Sequence, residues 1–160
     1  MFNVNEILQI AVNIEKNAVS FYSKAAEQVK DPELTEMFSK LAEWEVSHIT
    51  HFGKLKDDLT GHLADGAGFD PDGEAALYLK AISDGKIFKV ELTEKDLMEL
   101  PEDPAEIIKA AIAREKDSVI FYQALLEMVP SGMGRDQVKS IIDEEMSHVR
   151  YLVGKLATLI

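Results

Sequence analysis

The chain has 160 residues, 46% hydrophobic and 29% charged, with no cysteine and a formal charge of −12. That length fits one domain with a sizeable core. Without thiols, disulfide scaffolds, zinc–cysteine sites, thiol catalysis and cysteine-bound iron–sulfur centres are excluded, and so acidic a surface repels a nucleic-acid backbone or an anionic membrane. No run reaches the roughly 18 apolar residues of a membrane span. The opening Met1-Phe2-Asn3-Val4-Asn5-Glu6 lacks the basic stretch of a secretion signal. A cytoplasmic protein is the expectation.

In chain order, a first helix is predicted over 4–29, capped by Asn3 or Asn5. Asp31-Pro32 supplies a cap and a first-turn proline for a second helix over 32–59. The crossover over 60–103 is too long for a simple loop. Its part from Gly61 to Gly73 is rich in glycine and aspartate, and Asp70-Pro71-Asp72-Gly73 reads as a turn, since it lacks the spacing of a calcium loop. Glu74 to Ser83 and Thr93 to Leu100 read as short helices, and Lys86 to Leu92 alternates enough for a short extended piece. Asp103-Pro104 opens a third helix over 104–129. Ser131-Gly132-Met133-Gly134 makes a turn, and a fourth helix follows over 135–158. The fold class is all-α: one domain over 1–160, a four-helix bundle of two helical hairpins joined by one long crossover.

The hairpins repeat each other. A shift of 100 residues lays Ala11, Glu15, Lys16, Val19, Phe21 and Tyr22 on Ala111, Glu115, Lys116, Val119, Phe121 and Tyr122. The same shift lays Glu45, Ser47 and His48 on Glu145, Ser147 and His148. The second helix carries an apolar seam of Leu34, Phe38, Leu41, Phe52, Leu55 and Leu59, with Glu45 and His48 in its middle. The fourth carries Val138, Ile141, Leu152 and Leu159 around Glu145 and His148. By periodicity both seams face a helical core. Glu15 and Glu115 hold equivalent places among Leu8, Ala11 and Ala18, and among Ile108, Ala111 and Val119. Glu15 lies 16 residues before Asp31 and Glu45 lies 14 after it, so at about 1.5 Å per residue they stand nearly level.

Four carboxylates and two imidazoles are thus expected at one level inside the bundle. Two carboxylates 4–5 Å apart repel by roughly 3–4 kcal/mol at an effective dielectric of 20. Several such pairs rival a domain's whole stability of about 5–15 kcal/mol. Such a site must take up protons or cations. Two divalent cations balance four glutamates, and neutral histidines add nitrogen ligands. This oxygen and nitrogen set, without sulfur, suits iron or manganese and also admits zinc.

One glutamate from each of two helices and Glu-x-x-His from each of the other two make the di-metal carboxylate constellation. On Glu15, Glu45-Val46-Ser47-His48, Glu115 and Glu145-Met146-Ser147-His148 the sequence resembles the ferritin-like superfamily, and within it the rubrerythrin family. The resemblance covers the four helices, about two thirds of the chain. It implies two iron ions, with Glu45 and Glu145 bridging, Glu15 and Glu115 as outer ligands, and His48 and His148 as nitrogen ligands. Tyr22 and Tyr122 look like the family's tyrosines that hydrogen-bond the carboxylates. It further implies reaction with O2 or H2O2, and a homodimer, for which the apolar tail from Leu152 to Ile160 is suited. Two departures stand out. The cysteine-rich rubredoxin domain of rubrerythrins proper has no counterpart, so an electron donor would be a separate protein. Where typical members carry an extra glutamate three residues after Glu115, this chain has Ser118, which leaves a symmetric set closer to a ferroxidase centre.

The remaining polar residues read as ordinary surface or packing groups. Glu43, Asp143 and Glu144 point away from the seam, His51 lies at its edge in a packing or interface role, and His62 faces solvent in a loop. Trp44 packs against another helix or a second subunit.

Overall fold

The computed structural model of the chain describes residues 4–60, 74–83, 95–96, 99–129 and 131–160. Four long helices carry it: α1 (Val4–Gln28), α2 (Pro32–Thr60), α4 (Pro104–Met128) and α5 (Arg135–Leu156), with the short α3 (Glu74–Ser83) in the crossover. No strand occurs among the described residues. The proposed extended piece from Lys86 to Leu92, the Asp70–Gly73 turn and His62 lie outside the described residues. Of the second short helix, Lys95 and Asp96 are helical, and the Glu99 N–H donates to the Lys95 carbonyl at 3.0 Å. No helix among the described residues is long and apolar enough to cross a membrane.

The helix starts follow from local chemistry. Asp31 accepts from the Glu33 and Leu34 amides at 2.8 and 3.1 Å, and Asp103 accepts from the Ala105 amide at 2.9 Å. Each satisfies amides that a helix N-terminus leaves bare, and the proline that follows has no N–H to lose. Asn5 lies one residue inside α1 instead of capping it, and takes a hydrogen bond from Thr60 Oγ1 at 3.1 Å; Asn3 lies outside the described residues. That bond joins the start of α1 to the end of α2, so the two helices run antiparallel.

The last helix opens differently. Gly134 precedes it at φ +105°, a backbone region closed to side chains, and a Cβ there would lie 2.1 Å from Leu55 Cδ1. Gly134→Ala is expected to cost at least about 1–2 kcal/mol, read by denaturant unfolding. An unchanged midpoint would show that the turn can relax.

α1 packs along α2, and α4 along α5. The core is two apolar blocks with a gap between them. One holds Leu8, Phe52, Leu59, Phe121, Leu125 and Val138; the other holds Phe21, Phe38, Leu41, Ile107, Ile108 and Leu152. Every long helix contributes to both blocks, and on every one the acidic residue lies between its two contributions. Tyr78 of α3 packs on the first block. The fourth-helix seam is one residue shorter than its spacing predicts. α5 ends at Leu156, beyond which Leu159 sits in a solvated turn and is 43% exposed. Past the last helical turn the 4-3 periodicity no longer dictates which way a side chain points.

Candidate metal centre

Glu15, Glu45, His48, Glu115, Glu145 and His148 fill the gap between the apolar blocks, each at most 5% exposed. Two overlapping groups have donor atoms all within 4.8 Å of one another: Glu15, Glu45, His48 and Glu145, and Glu45, Glu115, Glu145 and His148. Glu45 and Glu145 belong to both. His48 Nδ1 lies 3.1 Å from Glu45 Oε2, 3.0 Å from Glu145 Oε1 and 3.8 Å from Glu15 Oε1. His148 Nδ1 lies 3.1 Å from Glu45 Oε1, 3.2 Å from Glu145 Oε2 and 3.6 Å from Glu115 Oε2. The repeat visible in the sequence is therefore a near-twofold arrangement in space.

The tyrosines cross between hairpins. Tyr22 donates to Glu115 Oε1, and Tyr122 donates to Glu15 Oε1. Each hydroxyl thus fixes the lone carboxylate of the opposite hairpin, one heptad from the glutamate on its own helix. Both hydroxyls are pushed well above the usual phenol range, first by burial and then by the carboxylates they face. They stay protonated donors.

Burial, joined by the charges of Glu145 and Glu45, raises Glu15 well above the usual carboxylate range. Glu115 is raised in the same way, by burial and then by Glu145. Burial also pushes Glu45 and Glu145 upward, but hydrogen bonds outweigh it and both end lowered. Those to Glu45 come from His148, His48 and Glu15, and those to Glu145 from Glu115, His148 and His48. Burial opposes charge on the imidazoles, yet the surrounding carboxylates win. His148 is pushed up to about 12, and His48 is likewise raised. Without cations the cluster balances itself with protons on Glu15, Glu115 and both imidazoles.

That balance is incomplete. Glu45 Oε1 and Glu145 Oε1 are buried and have no well-directed hydrogen bond, although each lies close to an imidazole nitrogen. A buried, unsatisfied charged oxygen is costly. One Nδ1–H can serve only one of the several oxygens around it, whereas a cation accepts all their lone pairs at once. The orphaned oxygens are the two carboxylates common to both donor groups. The residues present therefore fit a pair of cations held by oxygen and nitrogen.

Two residues outside the expected set also reach the imidazoles. Glu144, expected on another face, accepts from His48 Nε2 at 2.9 Å while its side chain stays 47% exposed. Its other oxygen takes a hydrogen bond from Ser140 Oγ at 3.3 Å. The residue before each Glu-x-x-His leans across the hairpin interface toward the opposite imidazole. At the equivalent place in the other hairpin stands Trp44, 42% exposed, with its ring stacked on His148 at 5.1 Å between centroids and 10° between planes. The 100-residue shift that aligns the glutamates also lays Trp44 on Glu144, and that mismatch was the signal in the sequence. His51 and Glu43 are exposed, and Ser118 is buried beside Glu115 on α4.

A four-helix bundle whose apolar core is interrupted by four glutamates and two histidines defines a di-metal carboxylate protein. The Rubrerythrin family model matches residues 6–154, and the chain belongs to the rubrerythrin family. A crystal structure from Thermotoga maritima, described as a ferritin-like diiron-carboxylate protein, is similar at a TM-score of 0.69 and 27% identity. The match covers 99% of this chain and 97% of that one. Curated proteins yield no match.

Proposed function

We propose that the chain is a di-iron oxidoreductase of ferroxidase or peroxide-scavenging type, with manganese or zinc as the alternative occupants. The observation that carries this reading is the pair of buried, orphaned oxygens on Glu45 and Glu145, each common to both donor groups. Two ferrous ions, when bound in such a site, would supply two electrons together to O2 or H2O2.

The chain's own residues do the rest. Glu45 and Glu145 each offer one oxygen toward either imidazole, the arrangement a bridging carboxylate needs. Glu15 and Glu115 serve one position each, held in place by Tyr122 and Tyr22. His48 and His148 present Nδ1 inward. The apolar blocks on both sides keep bulk water from the carboxylates, which strengthens every charge interaction between them. Ser118 stands where typical members of the family carry a further glutamate, which favours the ferroxidase side of the proposal. The electron donor we propose for repeated turnover is a separate protein. The assembly we propose is a homodimer in the cytoplasm.

The test is anaerobic addition of Fe(II) followed by O2 or H2O2, with near-ultraviolet absorption followed in time. Multiple turnovers with a reductant are the expected result. One stoichiometric oxidation with retention of the iron would instead make the chain an iron-binding or storage protein, for which size exclusion should show a large shell. Absence of both the absorption and retained metal would reduce the site to a structural relic.

A further inference from the structure

The near-twofold site is asymmetric at the pair of residues that touches the imidazoles from outside. On one side His48 is fully buried and its Nε2–H is held by the Glu144 carboxylate at 2.9 Å. A nitrogen that donates to a carboxylate is fixed as the N–H of the ring. The other nitrogen, Nδ1, faces Glu15, Glu45 and Glu145, and it is the one whose proton a cation would displace to gain a ligand. Carboxylate-backed imidazoles are more basic and better oriented ligands, and losing such a partner typically costs 10- to 100-fold in metal affinity.

On the other side the corresponding residue has no oxygen to offer. Trp44 lies flat against His148, and Tyr151 meets Trp44 edge-on with centroids 6.0 Å apart. The indole covers the ring face and limits its exposure to 5%. It shields the imidazole without choosing which nitrogen carries the proton. The inner contacts are matched between the halves: each imidazole faces both shared glutamates, and each lone glutamate has its tyrosine.

We propose that the two metal positions are unequal by construction. The His48 position, backed by Glu144, binds first and tightly; the His148 position, covered by Trp44, binds second and exchanges. This rests on the reading of the cluster as a two-metal site. Glu144 is a positioning residue acting through His48, and Trp44 is the element that withholds the same support from His148. A tight position would retain its ion, while the weaker one would exchange its ion with solution.

Titration of the metal-free full chain with Co2+, followed by cobalt absorption, tests the inference. Trp44 is the only tryptophan and reports the approach of metal to His148 through its fluorescence. The wild type should bind two ions in separate steps, with most of the fluorescence loss in the second. In Glu144→Gln the first step alone should weaken, by about 10- to 100-fold. In Trp44→Glu, which places a carboxylate at the equivalent position, the second step should tighten toward the first. A merely structural loss would weaken both steps together. Two ions bound with equal affinity in the wild type, or a Glu144→Gln curve that overlays it, would overturn the inequality while leaving the two-metal site intact. Failure of the wild type to bind Co2+ at all would overturn the site itself and this inference with it.

Discussion

Glu45→Ala is expected to lose retained metal from both positions, while Glu43→Ala keeps the wild-type content. The two residues are two apart on α2 and carry the same charge, so net electrostatics and helix propensity do not separate them. Burial does. Glu43 is exposed, whereas Glu45 is 1% exposed and lies 3.1 Å from the inward nitrogen of each imidazole. A carboxylate common to both donor groups cannot be removed without leaving each group one oxygen short. The loss should therefore exceed the roughly 100-fold upper range seen when only an outer partner is deleted. Elemental analysis after gel filtration gives the metal content, and far-ultraviolet circular dichroism checks that the helices persist. Equal metal in the two variants would mean that the wrong face of α2 has been taken for the site.

Stripped of metal, the bundle should lose stability as the pH rises. An unfolded histidine releases its proton near pH 6.5, and an unfolded glutamate near 4.3. In the folded, metal-free chain His148 holds its proton up to about 12, His48 is raised too, and Glu15 and Glu115 are raised well above the carboxylate range. Above about pH 6.5 the folded state thus binds more protons than the unfolded one, and its advantage shrinks with each pH unit. Each extra bound proton corresponds to about 1.4 kcal/mol per pH unit. For a chain of this size that is a fall of about 3–6 °C in Tm per unit for each such proton. Glu45 and Glu145 are lowered instead; what they contribute is lost only below the ordinary glutamate range, so they leave the alkaline slope unchanged.

Metal reverses the trend, because cations take the places of those protons and bind better as protons leave. At a thousandfold excess over Kd one site adds about 4.1 kcal/mol. Calorimetry from pH 6 to 9, with metal and with chelator, should show two Tm curves that diverge as the pH rises. A metal-free Tm that holds or climbs over that range would mean that the acids do not share their charge through protons.

The positions of the six buried ligand-type residues were legible in the sequence because a helix converts spacing into direction. Glu45 and His48 are three apart within a seam of leucines and phenylalanines, and at that spacing two side chains must share a face. The repeat placed Glu145 and His148 in the same relation and set the lone glutamates level with them. Asp31-Pro32 and Asp103-Pro104 marked helix starts because the capping bond is local and needs nothing from the rest of the chain.

Spacing along the chain was enough to set the elements, their apolar faces and the acidic layer between two halves of the core. Which hairpin each side chain serves depends on how the helices pack. Tyr22 and Tyr122 reach the glutamates across the interface, and Glu144 and Trp44 reach the opposite imidazoles. Those reaches depend on how far each helix is rotated about its axis and how closely the hairpins approach. Periodicity is silent on both, since a residue at the margin of a seam faces solvent or neighbour according to a few degrees of rotation. The same limit explains Leu159, whose seam position lost its meaning once α5 ended at Leu156.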